Sequence, residues 1–166
     1  VVGAVNQALT LDGINDSISF AQSSPYNFTG DFTVSLFVST NQTVTTDYYP
    51  AIIGKTDTSN VRNDWSIYAN AAQYGNEWFG EINLNGQQYA LSGSDIADGT
   101  WHHLVMQRAG TELRIYQDGI LTGTTTVPTQ TITNNQPLQI GKSNFIGAPF
   151  WFGGSVDDVM IYDRAL

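Results

Sequence analysis

The chain has 166 residues, no cysteine, and fifteen acidic against six basic side chains, for a net charge of −9. Such a length is enough for one domain that buries roughly two-thirds of its unfolded surface, so no disulfide scaffold is required. The charge argues against nucleic acid and anionic membranes as partners, because both need a cationic footprint, and no run of about 18 apolar residues is present to span a bilayer.

In chain order, period-two alternation appears in Ser17-Ile18-Ser19-Phe20, in Phe32 to Val38, and in Leu113-Arg114-Ile115-Tyr116. Thr, Val, Ile and aromatic residues fill these runs, as half-buried strands prefer. Turn signals separate them at Asp12-Gly13, Thr29-Gly30-Asp31, Asn85-Gly86, Asp98-Gly99, Ala109-Gly110 and Asp118-Gly119. Short strands punctuated in this way predict a sandwich or barrel, and no stretch sustains a helical period. The best-defined unit is a three-stranded meander. Its first strand is His103–Arg108, and Ala109-Gly110-Thr111 turns the chain into Glu112–Gln117. Asp118-Gly119 then makes a two-residue hairpin leading into Ile120–Thr126. Residues 40–47, 55–64 and 128–136 read as polar loops.

Several segments, in order, resemble laminin-G-like modules of the concanavalin A-like superfamily. They are Ala8 to Ile18, Phe32 to Val38 followed by Ile52-Ile53-Gly54-Lys55, Asp98 to Asp118-Gly119, and Phe152 to Leu166. The resemblance implies an all-β, two-sheet antiparallel β-sandwich (jelly roll) with adjacent N- and C-terminal strands. It also implies an extracellular setting, frequent Ca²⁺ binding, and recognition of a glycan or a protein. We expect residues 1–166 to form one such domain of a larger exported protein, with flanking domains as neighbours. The fold hosts many functions and does not name the ligand.

The last strand raises a metal question. Strict alternation puts Val156, Asp158, Met160 and Tyr162 on one face and Asp157, Val159 and Ile161 on the other. Whichever face meets the core, one carboxylate is drawn towards it, and burying that charge unpaired is costly. A structural Ca²⁺, which takes six to eight oxygen ligands, would answer this. If the chain ends are adjacent, as the resemblance implies, Asp12, Asn15 and Asp16 would join Asp157 and Asp158 in holding it. The alternative is that Asp12-Gly13 is a plain turn and the two Asp accept backbone hydrogen bonds. A second oxygen-rich stretch, Asp57 to Asp64, would hold another ion, meet sugar hydroxyls, or remain a solvated loop.

Sugar sites combine an aromatic platform with amides and carboxylates. Trp65, Tyr74, Trp78 and Trp151, with Asn63 and Asp64, are the candidate ligand contacts for an oligo- or polysaccharide. The competing reading makes these rings wedges beneath long loops. Trp101 and Phe152 read as core. Catalysis has a weaker basis. Glu77 and Glu81 share a strand face, but Phe79 stands where the resembling glucanases carry an intermediate acid. Their Cα atoms would lie about 13 Å apart, against the 5–5.5 Å between carboxyls that a retaining glycosidase needs. His102 and His103 face opposite sides of a strand, and no nucleophile elbow or phosphate loop is present. The expectation is a non-catalytic, Ca²⁺-stabilised carbohydrate-binding domain. The alternatives are a protein-interaction or adhesin spacer domain, or a degenerate glycoside hydrolase.

Overall fold

Period-two patterning produces strands almost throughout. A computed structural model describes residues 7–21, 26–43, 49–69, 77–143 and 150–166, and no α-helix occurs among them. One sheet has the order β1 (Leu9–Asp12), β14 (Gly153–Tyr162), β3 (Phe32–Ser39), β8 (His102–Ala109), β9 (Glu112–Gln117), β10 (Ile120–Thr126). The second runs β2 (Ile18–Phe20), β11 (Leu138–Ile140), β4 (Ala51–Lys55), β5 (Asp64–Tyr68), β6 (Glu77–Leu84), β7 (Gln87–Asp95). A small ribbon pairs β12 (Lys142–Ser143) with β13 (Phe150–Trp151). The pairings are antiparallel, and the two large sheets form a sandwich, the architecture that the sequence pattern implied. The terminal strands are neighbours, with Leu9 opposite Val156 and Asp12 opposite Gly153.

The meander β8-β9-β10 forms as expected. Asp118 and Gly119 have φ of 53° and 80°, and Asn85 and Gly86 have 52° and 81°. Two consecutive positive φ values give the turn whose twist matches the flanking strands.

The core lies between the sheets. Val34, Leu36 and Val38 of β3 are fully buried, while Ser35, Phe37 and Ser39 are half-buried on the other face. Each such buried aliphatic side chain contributes about 1.5–3 kcal/mol relative to exposure. Gly80 lets the sheets approach, since a Cβ there would stand 2.9 Å from Met106 Sδ and 3.2 Å from Ile115 Cγ2.

With no disulfide in the chain, two buried cations brace the loops. Lys55 Nζ donates to Asn27 Oδ1 at 2.6 Å and to the Asn134 carbonyl at 2.5 Å. Arg108 donates to the carbonyls of Gln130 and Gly30. Burial lowers the pKa of both groups.

Strand β14 departs from simple alternation. Its register against β3 shifts by one residue between Asp157 and Met160, and Asp158 takes a φ of 46°. This bulge keeps Val156 buried and lets Val159 and Ile161 pack on the core. Neither Asp157 nor Asp158 is drawn inside; both are half-buried. The conflict expected from strict alternation is removed by one extra residue.

Candidate functional site

The outer face of the second sheet carries a polar and aromatic floor. In β5, Trp65 and Ile67 turn into the core, which leaves Asp64, Ser66 and Tyr68 on the outer side. Across the ladder Asp64 faces Asn83, Ser66 faces Glu81 and Tyr68 faces Phe79. On the next strand Asn83 faces Gln88 and Glu81 faces Ala90.

The loop between β4 and β5 returns Arg62 onto this face. Its Nε donates to Asp64 Oδ2 at 3.0 Å, and its Nη2 donates to Asp64 Oδ1 at 3.2 Å and Glu81 Oε1 at 2.6 Å. Asn83 Nδ2 donates to Asp64 Oδ1 at 2.8 Å and to Glu81 Oε1 at 3.1 Å. The Tyr68 hydroxyl donates to Glu81 Oε1 at 3.3 Å, Gln88 Nε2 donates to Glu81 Oε2, and the Asp57 N–H closes on Asp64 Oδ2 at 2.7 Å. Four donors therefore converge on each carboxylate, about as many as it can accept.

Electrostatics follow from burial. Asp64 is pushed up to about 6 by desolvation, with Arg62 pulling it back and Glu81 adding to the rise. Burial pulls the Arg62 guanidinium down, but Glu81 and Asp64 outweigh it and hold it above its usual value. Burial, with Glu81 nearby, lifts Tyr68 well above the ordinary phenol range, so it stays a neutral donor.

An aromatic wall adjoins this network. Tyr68 and Phe79 stack at 4.6 Å, Tyr49 stands edge-on to both at 6.3 Å, and Phe150 meets Tyr49 at 6.0 Å. Wall and network enclose a pocket of about 390 Å³. Tyr49, Arg62, Gly86 and Gln88 form its mouth, and Tyr68, Phe79, Glu81 and Asn83 its floor. Such a site can hold a small polar ligand against a ring. Its carboxylates each accept from fixed donors of the protein itself.

The expected contacts are distributed differently. Trp65 and Trp78, read from the sequence as ligand platforms, are both 0% exposed. Trp65 Nε1 donates to the Tyr26 carbonyl at 3.1 Å, and Trp78 Nε1 donates to Gln117 Oε1 at 2.9 Å. Gly93 leaves room for Trp78, because a Cβ there would stand 2.0 Å from Nε1. Their positions in β5 and β6 are core positions, so the rings face away from solvent. Trp151 is half-buried with the Lys142 ammonium 4.9 Å from its ring centroid, and it is its neighbour Phe150 that reaches the wall. Asn63 lies in the loop under Arg62, where Nδ2 donates to the Thr133 carbonyl at 3.1 Å. Asp64 is fully buried behind the pocket floor, bonded to Arg62 and Asn83 and not among the lining residues, and Tyr74 lies outside the described residues.

Arg62, Tyr49, Glu81, Asn83 and Gln88 were not chosen as ligand contacts from sequence. The phase of alternation was the available signal. Trp78, Ile82 and Leu84 define the core side of β6, which leaves Phe79, Glu81 and Asn83 facing outward.

The five expected metal ligands do not form one site. Asp12 Oδ1 accepts the N–H groups of Ile14 at 2.8 Å, Asn15 at 3.1 Å and Asp16 at 3.3 Å. The Asn15 and Ile14 hydrogen bonds hold its carboxyl below the usual range. Asp16 Oδ2 accepts the Asp12 N–H at 3.1 Å, and Asp157 Oδ1 accepts the Asp158 N–H at 2.9 Å. Because Asp12 pairs with Gly153, Asp157 lies four positions further along β14, about 13 Å away. Among the described residues no group of three or more His, Asp or Glu side chains is placed to hold a metal. The Asp57 loop likewise spends its carboxylate internally, on Ser59 and Asn63.

No curated protein matches the chain. Solved structures match over nearly its whole length. Domain 4 of AbnA, a GH43 extracellular arabinanase from Geobacillus stearothermophilus in complex with arabinotriose, aligns with a TM-score of 0.72 at 21% identity, covering 100% of this chain and 75% of that one. The Ruminococcus gnavus IT-sialidase CBM40 bound to α2,6 sialyllactose aligns with 0.69 at 14%, covering 96% and 93%. Mouse laminin α1 domains LG4-5 align with 0.68 at 14%, covering 95% of this chain and 43% of that one. These identities speak for the fold. The family model matches residues 12–166, and the chain belongs to the concanavalin A-like lectin/glucanases superfamily, in its laminin-G branch.

Proposed function

We propose that the chain is a non-catalytic carbohydrate-binding domain of an extracellular protein, with the pocket on the outer face of the second sheet as its sugar site. The observation that carries this reading is the pairing of Tyr49, Tyr68 and Phe79 with Arg62, Glu81, Asn83 and Gln88 around one pocket of about 390 Å³. An apolar ring face beside convergent polar groups is what a sugar requires. Similar folds occur in complexes with arabinotriose and sialyllactose, and one of those proteins is an extracellular arabinanase. The saturated carboxylates support the non-catalytic part. A glycosidase acid must give its proton to the leaving oxygen, whereas Glu81 already accepts from four donors.

A glycan array followed by calorimetry tests this. We expect at least one oligosaccharide to bind saturably, with Tyr49→Ala weakening it about tenfold or more, the loss of a central aromatic contact. Trp151→Ala, on the opposite face of β13 from Phe150, should change affinity far less. Equal losses in the two variants would move the site elsewhere; no binding by any glycan would remove the function.

A second reading, a protein-interaction or spacer domain, draws on a different place. Phe20, Tyr26, Leu138, Ile140, Val159 and Ile161 line an apolar groove of about 300 Å³ at the edge of the sandwich, and Ile18 and Phe20 are exposed there. That edge, not the polar pocket, would then respond to mutation in a protein-binding assay.

A further inference from the structure

We infer that the pocket admits neutral, hydroxyl-donating sugars and turns away carboxylated, sulfated and phosphorylated ones. The inference rests on the sugar-site reading above and specifies its ligand class. What carries it is the direction of the hydrogen bonds.

Ionised carboxylates only accept, so every group bonded to Asp64 or Glu81 must donate to it. Asn83 gives Nδ2 to both carboxylates, and Gln88 gives Nε2 to Glu81. That fixes both amide orientations and turns the two amide carbonyls away from the carboxylates. The Tyr68 hydroxyl is committed to Glu81, and the Nε and Nη2 edge of Arg62 is committed to Asp64 and Glu81. Those donors are thus turned into the network, and the amide carbonyls of Asn83 and Gln88 are acceptors left over beside the aromatic wall.

Charge points the same way. Two carboxylates, Glu81 in the floor and Asp64 behind it, are set against one guanidinium, Arg62, which leaves the network under the pocket with a net negative charge once Asp64 is ionised above its value of about 6. The chain as a whole carries a net −9. A sugar hydroxyl can donate to these amide oxygens; a sugar carboxylate, sulfate or phosphate dianion brings acceptors and like charge. This site is therefore built against the acidic sugars that one of the similar folds is seen to carry.

The test uses paired probes on the intact domain. Neutral oligosaccharides (arabinotriose, lactose, cellotriose) are compared by array and calorimetry with charged counterparts (sialyllactose, sulfated lactose, oligogalacturonate). We expect binding among the neutral members, with each charged counterpart weaker by about tenfold or more. The neutral affinity should stay within about twofold as NaCl rises from about 0.05 to about 0.5 M, since no ion pair with the ligand is there to screen. Gln88 is exposed, so Gln88→Lys should fold normally while placing a donor and a positive charge at the mouth. In that variant the preference for neutral over charged sugars should shrink by about tenfold. A charged sugar that binds as tightly as its neutral partner and responds to Gln88→Lys would overturn the inference and leave the sugar site standing. An unaltered preference in Gln88→Lys would overturn it as well. No binding by any probe would overturn both the inference and the reading beneath it.

Discussion

At the first turn, Asp12 draws its hydrogen bonds from backbone N–H groups no more than four residues away. On the second sheet, Asp64 and Glu81 draw theirs mostly from side chains, up to 19 residues distant in sequence. The first set is exposed, while Asp64 and Glu81 are 0% and 2% exposed. Both regions are acid-rich in sequence, yet they spend their oxygens differently. The Asp12 carboxylate accepts from the N–H groups of its own turn. Two buried carboxylates cannot stay charged alone, so they collect Arg62, Asn83, Tyr68 and Gln88, and that convergence shapes the pocket.

The largest expected effect comes from removing the shared cation. Arg62→Ala leaves Asp64 and Glu81 without their ion pair and should cost about 3–5 kcal/mol in urea unfolding, the usual penalty for uncovering a buried pair. A loss near that of an ordinary surface substitution would mean that water reaches the network and that the contrast with the first turn is small.

The next effect is a pH slope. Folding raises the Asp64 carboxyl from 3.8 to about 6, so between these values the folded state holds a proton that the unfolded chain has released. Stability supplied by that proton is present at the acid end of the window and falls as pH rises through about 6. The slope approaches about 1.4 kcal/mol per pH unit for one proton. Asp64→Asn should lack this fall when its unfolding curves are compared with those of the parent from pH 4 to 7. Parallel curves would place Asp64 in a wetter setting.

The smallest effect belongs to the turn. Saturating Ca²⁺, compared with chelator, should leave the thermal midpoint almost unchanged, because Asp12, Asp16 and Asp157 already accept backbone N–H groups and the two ends of the set lie apart. A shift worth about 2.7 kcal/mol at a hundredfold excess over Kd, lost in Asp12→Asn, would show that a metal does join the chain ends.

Much of the fold is legible in the chain. The alternation of Phe32 to Val38, the Asn85-Gly86 and Asp118-Gly119 turns and the meander between them are local, and the local rules for strands and two-residue turns hold there. Of the network, Asp64 was noticed as a ligand contact, whereas the fold buries it behind the pocket floor, and Glu81 was noticed as an acid on a strand, though for a chemistry its saturation argues against. Trp65 and Trp78 misled because a tryptophan beside polar residues looks the same whether it stacks on a sugar or fills a core. The choice turns on the phase of the strand, which their aliphatic partners at alternate positions record.

The bulge at Asp158 was not legible, since nothing local distinguishes an added residue from strict alternation until β3 is placed alongside. Nor was the arrival of Arg62 across β5 onto β6, or of Phe150 against Tyr49. Secondary structure and turn chemistry are short-range, set by backbone sterics and by side chains a few residues apart. The pocket is long-range: three strands, a loop and a hairpin meet there, and the cost of burying two charges decides how they are arranged. The first turn shows the boundary between the two. Its acids were plain in the sequence, and their separation from Asp157 was settled by the register of β1 against β14.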